Sequence, residues 1–101
     1  MNLNKNIKDL IEYPKQGIIS KTILKKDDLD IGLFCMASET EMSQHTSTKK
    51  AIVNVIEGNG IFNLEGKDIK MIPGTLIFME KNAVHSLKAI KKTAFLLILM
   101  K

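Results

Sequence analysis

The two histidines of the chain, His45 and His85, are the side chains best suited to bind a metal ion or a polar ligand. His45 lies in the polar stretch SQHTS, and His85 follows 40 residues later in a stretch where apolar and polar residues alternate. A divalent transition metal such as iron, manganese, nickel or zinc needs several donors that converge on one point. Two imidazoles from distant segments supply part of such a shell only if the fold brings them together.

Taken one at a time, the two histidines also fit ordinary structural roles. His45 fits an exposed loop residue among hydroxyl side chains, because polar residues of this kind are usually solvated. His85 fits a core histidine with backbone or water partners as well as it fits a ligand role. Only a common pocket favours a functional pair.

Other reactive side chains give weaker signals. Cys35 lies in an apolar run, which predicts a buried and unreactive thiol. Gln44, Glu39 or Glu41 could complete a metal shell around His45, although acidic residues beside a turn are usually only solvated.

The composition indicates one globular domain. A chain of 101 residues, 45% hydrophobic and 26% charged, is long enough for a single core and too short for two, so we expect one domain over residues 1–101. The net charge of +4 comes from 15 lysines and no arginine, with one Tyr and no Trp. Because guanine readout favours arginine and base stacking needs aromatic rings, we expect no nucleic-acid partner.

The sequence contains no membrane signal. The first 14 residues hold no apolar stretch of signal-peptide length, and the longest apolar run, residues 94 to 100, is too short to span a bilayer. We therefore expect a cytoplasmic protein with no membrane partner.

Most of the chain has the pattern of antiparallel strands. Residues 1–16 predict a short helical lead-in that ends near Pro14, and residues 17–100 predict a β-barrel. Short apolar segments alternate with turns rich in Gly and Asn, which is typical of a closed barrel or a two-sheet sandwich. The predicted strands cover residues 17–25, 30–37, 42–46, 50–57, 60–65, 68–72, 75–80, 84–90 and 93–100.

Alternation along the last two strands predicts which side chains point inward. His85 shares its face with Leu87, so its ring should point into the barrel. The final strand is apolar on both faces, which indicates that the N-terminal segment or a second subunit covers its outer side. If a second subunit does so, changing Leu97 or Leu99 to Lys should disturb the dimer.

Two segments resemble the sequence motifs of the cupin family. Residues 45 to 58 (HTSTKKAIVNVIEG) are similar to the first cupin motif, and residues 72 to 85 (IPGTLIFMEKNAVH) are similar to the second. The resemblance spans about residues 17–100. It implies an all-β, cupin-type jelly-roll barrel, frequently dimeric, with a pocket at one mouth.

The functional residues of the motifs carry over in part. His45 matches the first ligand histidine of the family, and His85 matches the histidine of the second motif. Ser47 stands at the second histidine position and Ala51 at the glutamate position, so two of four metal ligands are absent. The resemblance implies a ligand pocket formed by His45, Ser47 and His85, with His45 and His85 as the ligands of any metal.

Three functions remain open on this basis. The first is a homodimeric barrel that binds a small molecule, with the two histidines in the pocket. The second is a metal-dependent cupin enzyme of the dioxygenase or isomerase type. The third is a structural or interaction dimer whose pocket is filled by side chains.

Overall fold

The computed structural model describes residues 2–101 and contains nine strands and one 3-10 turn, Ile7–Leu10. The predicted all-β fold is confirmed, and each predicted strand is present with its ends shifted by at most one residue. The strands are β1 (Ile18–Lys25), β2 (Leu29–Met36), β3 (Glu41–His45), β4 (Lys50–Glu57), β5 (Gly60–Leu64), β6 (Lys67–Met71), β7 (Leu76–Met79), β8 (His85–Ala89) and β9 (Thr93–Met100).

The strands form two antiparallel sheets that enclose the core. The first sheet has five strands in the order β1-β2-β9-β4-β7, and the second has four in the order β3-β8-β5-β6. Their inner faces share one apolar cluster, because side chains of both sheets are buried in it. Its members include Met36, Val53, Val55, Phe62, Met71, Met79, Leu87 and Phe95.

The predicted short helical lead-in is present as a single 3-10 turn, Ile7–Leu10. Asn6 caps the turn by accepting a hydrogen bond from the backbone N–H of Lys8 at 3.1 Å. The segment then packs its apolar side chains on the outer side of the five-stranded sheet. The residues in this second cluster are Ile7, Leu10, Ile11, Tyr13, Ile23, Leu33, Cys35, Ala94 and Leu96. The N-terminal segment thus covers part of the outer face of β9, the strand that is apolar on both faces. It also buries the free thiol of Cys35.

The hairpin between β4 and β5 depends on a glycine. Gly58 has a φ of 114°, and a Cβ built there would lie 2.5 Å from the carbonyl oxygen of Lys92 and from the Cα of Thr93. Only glycine combines this backbone angle with such a close approach of the chain before β9.

The side chains of β9 that face the core are not the ones expected. Leu97 and Leu99 pack against the inner core, so the prediction that Lys at these positions would probe a dimer surface was wrong. Because the strand is apolar on both faces, alternation alone could not fix which face is which. Ile98 lies in register with Ile52, which pairs with Phe78, and this row lies on the outer face of the sheet.

No helix within residues 2–101 is long and apolar enough to cross a membrane.

Candidate functional site

The two histidine rings lie side by side on neighbouring strands. β3 pairs with β8, and His45 is directly opposite His85 in this pairing. The ring centroids are 4.1 Å apart, and the ring planes meet at 62°. His85 is buried, with 7% of its surface exposed, whereas His45 lies at the exposed end of its strand. The structure thus brings together the two imidazoles that the sequence singled out.

An irregularity in β3 explains why His45 reaches this position. Met42 lies opposite Leu87, so three residue steps on β3 match two steps on β8 before His45 meets His85. In a regular ladder the side chain opposite His85 would be that of Gln44, and His45 would point outward. The extra residue is a β-bulge, and it turns His45 to the inner face.

Each imidazole is held by a backbone carbonyl two residues before it. Nδ1 of His45 lies 2.6 Å from the carbonyl oxygen of Ser43, and Nδ1 of His85 lies 2.9 Å from that of Ala83. A carbonyl oxygen can only accept, so these bonds assign the proton of each neutral ring to Nδ1. Nε2 of both rings is then a hydrogen-bond acceptor or metal-ligating atom.

The rings border an apolar cavity of about 160 Å³ between the two sheets. The ring of Phe62 stacks on that of His85, with centroids 5.8 Å apart and planes 6° from parallel. The cavity can therefore hold the apolar part of a small ligand, whose polar group would contact the imidazoles. Besides the two histidines it is lined by Phe34, Met42, Val53, Phe62, Met79, Leu87, Phe95 and Leu97.

The other residues of the expected site have different surroundings. Ser47 lies in the turn after β3, where its hydroxyl oxygen accepts from the N–H of Lys49 at 3.2 Å. Ala51 is buried opposite Met79 and Leu99 and carries no donor.

The acidic residues near β3 point away from the cavity. Glu39 and Glu41 both form ion pairs with Lys88, at 3.3 Å and 3.9 Å. Lys88 alternates with the inward-facing His85 and Leu87, so these pairs lie on the outer face of the four-stranded sheet. Neither carboxylate is available to His45.

The donor set limits what the site can hold. Within residues 2–101, no group of three or more His, Cys, Asp or Glu side chains is arranged to bind a metal ion. The two imidazoles supply two nitrogen donors, one fewer than the three protein ligands of catalytic zinc sites. The residues present therefore do not fit a complete metal centre of the kind that the cupin motifs imply.

Sequence reasoning missed one polar residue inside the barrel. Asp30 of β2 lies in register with Leu99, so it shares the inner face of the sheet with Phe34. Its Oδ2 forms an ion pair with Nζ of Lys101 at 3.1 Å, and this hydrogen bond holds the pKa of the carboxyl below its usual range. Its Oδ1 is buried and receives no hydrogen bond from residues 2–101. Asp30 lies four residues before Phe34 on the same strand, so strand alternation puts both side chains on one face, and this spacing could have revealed it.

Comparison with known proteins gives the family and the fold. A family model described as the AraC-like ligand binding domain matches residues 31–99. No curated protein matches the sequence.

Several solved structures have the same fold. A conserved protein of unknown function from Streptococcus pyogenes, SPY1581, has a TM-score of 0.88 at 21% identity, covering 100% of this chain and 89% of that one. A cupin superfamily protein from Desulfitobacterium hafniense has a TM-score of 0.88 at 16% identity, covering 99% and 92%. A cupin 2 conserved barrel domain protein from Leptotrichia buccalis has a TM-score of 0.88 at 24% identity, covering 96% of this chain and 47% of that one. Since the family model spans most of a chain with this cupin barrel fold, the protein belongs to the AraC-like ligand-binding domain family.

Proposed function

We propose that residues 17–100 form a single barrel that binds a small molecule in the cavity beside His45 and His85. The observation that carries this proposal is the pair of imidazoles 4.1 Å apart at an apolar cavity, each with Nδ1 on a backbone carbonyl. Both Nε2 atoms are then acceptors, so the ligand is bound through its hydrogen-bond donors. The description of the matching family as a ligand-binding domain supports the same function.

The size of the cavity limits the ligand. A volume of about 160 Å³ is close to that of an apolar cavity known to hold benzene, so a single ring or a short branched chain fits. Ser47 does not line this cavity, so its predicted part in the pocket would need a ligand that extends beyond the cavity to the turn after β3, where the Ser47 hydroxyl still has a proton to donate after accepting from Lys49. The ligand class is therefore a small, largely apolar molecule with at least one donor group.

Binding can be tested by thermal shift against a set of small metabolites. A ligand at one hundred times its Kd should stabilise the folded protein by about 2.7 kcal/mol. His45→Phe and His85→Phe keep the rings and remove the acceptors, so each should weaken binding by about three- to tenfold. Gln44→Ala, at an exposed position of the bulge, is the matched control and should bind as the wild type does. Unchanged affinity in both ring variants would contradict the proposed role of the imidazoles.

A metal-dependent enzyme of the dioxygenase or isomerase type is the second candidate function. It is favoured by the two Nε2 atoms, which a divalent iron, manganese, nickel or zinc ion can share, with ligand or water atoms in the other positions. Elemental analysis of untagged protein tests it. Stoichiometric metal that disappears in His85→Ala supports the enzyme, and metal-free protein after growth with added metals contradicts it.

We also propose that the functional unit is a homodimer formed through the outer face of the five-stranded sheet. The N-terminal segment covers only the part of this face around Leu33 and Ala94. Beyond this segment, the side chains of β7 on the same face are exposed, Leu76 to 64% and Phe78 to 47%. Phe78 pairs with Ile52 of β4. Two copies related by a two-fold axis can bury the same apolar surface against each other, which makes a second copy the fitting partner.

Light scattering distinguishes this dimer from a monomer. The double variant Leu76→Lys and Phe78→Lys should have the mass of a monomer, because charges would be buried in the interface. Ile90→Lys is the matched control, since Ile90 is 41% exposed and follows β8 of the other sheet, so the dimer should persist. A wild-type monomer, or an unchanged mass in the double variant, would contradict the dimer. A dimer whose cavity accepts no ligand would instead support the structural alternative, with this surface as the working part.

A further inference from the structure

An open groove lies on the inner face of the five-stranded sheet, along β1 and β2 and next to the cavity of the histidine pair. Its volume is about 150 Å³, and Phe34 and Leu97 line both the groove and the cavity. The lining is mostly apolar, with a lysine at the end of β1. The residues that line the groove are Thr22, Leu24, Lys25, Asp30, Ile31, Gly32, Phe34, Leu97 and Leu99.

Lys25 lines this groove, and its natural cross-strand partner is taken by another lysine. Lys25 lies directly opposite Asp30 in the pairing of β1 with β2, a position in which opposite charges attract each other. Asp30 instead forms its ion pair with Lys101, at 3.1 Å. Lys25 is exposed and forms no ion pair with any residue from 2 to 101. Its ammonium is therefore accessible to an anion that enters the groove.

The charges at the groove favour an anion over a cation. Among the described residues, Asp30 is the one acidic side chain that lines the groove, and its charge is already paired with Lys101. The pKa of Asp30 is lowered by the hydrogen bond from Lys101, and the charge of Lys25 adds to this effect. Asp27 and Asp28, in the exposed turn between the two strands, do not line the groove. The positive charge of Lys25 is thus in excess there, so it attracts an anion and repels a second cation.

The floor of the groove beside Lys25 is apolar. Phe34, Leu97 and Leu99 line it and are only partly buried, and Gly32 adds no side chain to fill it. An apolar group that covers these side chains removes their surface from water, which is favourable. The volume of about 150 Å³ is close to that of a cavity known to hold benzene. The groove therefore has room for one ring or a short branched chain.

We propose that this groove binds a small monocarboxylate, whose carboxylate pairs with the ammonium of Lys25 and whose apolar part lies against Phe34, Leu97 and Leu99. The inference goes beyond the proposed function, because the groove uses neither imidazole. The two sites also take different chemistry. The histidine cavity offers acceptors to a ligand that donates hydrogen bonds, whereas the groove offers a cation to a ligand that carries a negative charge.

Three probes of nearly the same shape test the charge requirement: benzoate, benzamide and benzamidinium. They carry a negative charge, no charge and a positive charge on the same ring. A partly exposed ion pair contributes modestly, so benzoate should bind in the groove about two- to fivefold more tightly than benzamide. Benzamidinium should bind more weakly than benzamide. The advantage of benzoate should shrink at about 1 M NaCl, where the Debye length is only about 3 Å.

NMR titration measures binding at each site separately, because the two sites have different methyl groups. Leu24 lines the groove and not the histidine cavity, whereas Met79 lines the histidine cavity and not the groove. Benzoate should shift the methyl signals of Leu24. Lys25→Gln, which keeps the length of the side chain and removes its charge, should abolish the advantage of benzoate over benzamide, and Lys25→Arg should keep it. Lys70→Gln, at an exposed position of β6 in the other sheet, makes the same change in net charge and should also keep the advantage.

The outcomes separate this inference from the proposed function. Equal affinities of benzoate and benzamide at Leu24, a benzamidinium that binds best, or an advantage that persists in Lys25→Gln would each overturn the carboxylate site. Benzoate that shifts Met79 without shifting Leu24 would overturn it as well, while leaving the histidine cavity as a binding site. Benzoate that shifts Leu24, when no small metabolite shifts Met79, would support the groove and contradict the proposed function.

Discussion

Phe62→Ala is the substitution that most directly tests whether the two sheets close over the histidine cavity. The Phe62 side chain is 1% exposed, lies on β5 in register with Leu87, and stacks on the ring of His85. Removing a buried phenylalanine side chain costs about 3–5 kcal/mol, because transfer free energy is lost and a void remains. A domain of this size has a stability of about 5–15 kcal/mol. The variant should therefore lose a large part of its free energy of unfolding.

Urea unfolding followed by circular dichroism measures this loss. The midpoint should fall at an unchanged slope, and Tm should fall by roughly 15–30 °C. Phe62→Leu is the control, since it keeps most of the side-chain volume and should cost clearly less than Phe62→Ala. Benzene added to Phe62→Ala should restore part of the stability by filling the enlarged cavity. A loss below about 1 kcal/mol in Phe62→Ala would refute the burial of Phe62 in a core that both sheets enclose.

Three further predictions follow from other parts of the fold. Gly58→Ala should lower the free energy of unfolding in urea by at least about 3 kcal/mol. Gly74 has a φ of 92° but no atom within 4 Å of a built Cβ, so Gly74→Ala should cost only about 1–2 kcal/mol of backbone strain. Equal losses would contradict the close approach at Gly58. The pKa of Tyr13 is raised by burial and, secondly, by the 2.6 Å hydrogen bond that its hydroxyl donates to Glu57. The folded state is therefore stabilised by the neutral hydroxyl below pH 10, and this stabilisation is lost as the pH rises above 10. Since Tyr13 is the only tyrosine and the chain has no Trp, absorbance at 295 nm should rise only well above pH 10 in the native protein and at lower pH in Glu57→Gln. Deleting Gln44 should preserve the NOE between the His45 and His85 rings, because it removes the extra residue of the bulge; loss of that NOE would argue against the bulge.

The strand pattern could be predicted because residue types that tolerate a positive φ mark the turns. Gly58, Gly66, Gly74 and Asn82 all have positive φ, which few other residues adopt at low cost. These residues divide the second half of the chain into strands of fixed length. The first half has fewer such markers, and there the short helical lead-in was predicted from Pro14 and from the spacing of Ile7, Leu10 and Ile11.

The orientation of individual side chains was harder to predict than the strands themselves. Alternation placed His85 inward because its neighbours on β8 alternate clearly. The same rule turns His45 outward when it is applied from Met42, and only the bulge reverses this. On β9 both faces are apolar, so the phase is set by contacts between strands, such as the stacking of Phe95 on Phe34 at 5.4 Å. Bulges and strand phase depend on tertiary partners that one sequence does not reveal.

The way in which the imidazoles are held has a consequence for selectivity. Each Nδ1 is already bound to a backbone carbonyl, so neither ring needs to reorient or change tautomer when a ligand arrives. The rest of the cavity is apolar, and an apolar wall distinguishes ligands that differ by one methylene group by only about 1–3 kcal/mol. A fixed acceptor in an apolar setting discriminates more strongly, because a ligand without the matching donor leaves a buried nitrogen unpaired. Ligands of equal size should therefore be ranked by the number and position of their donors.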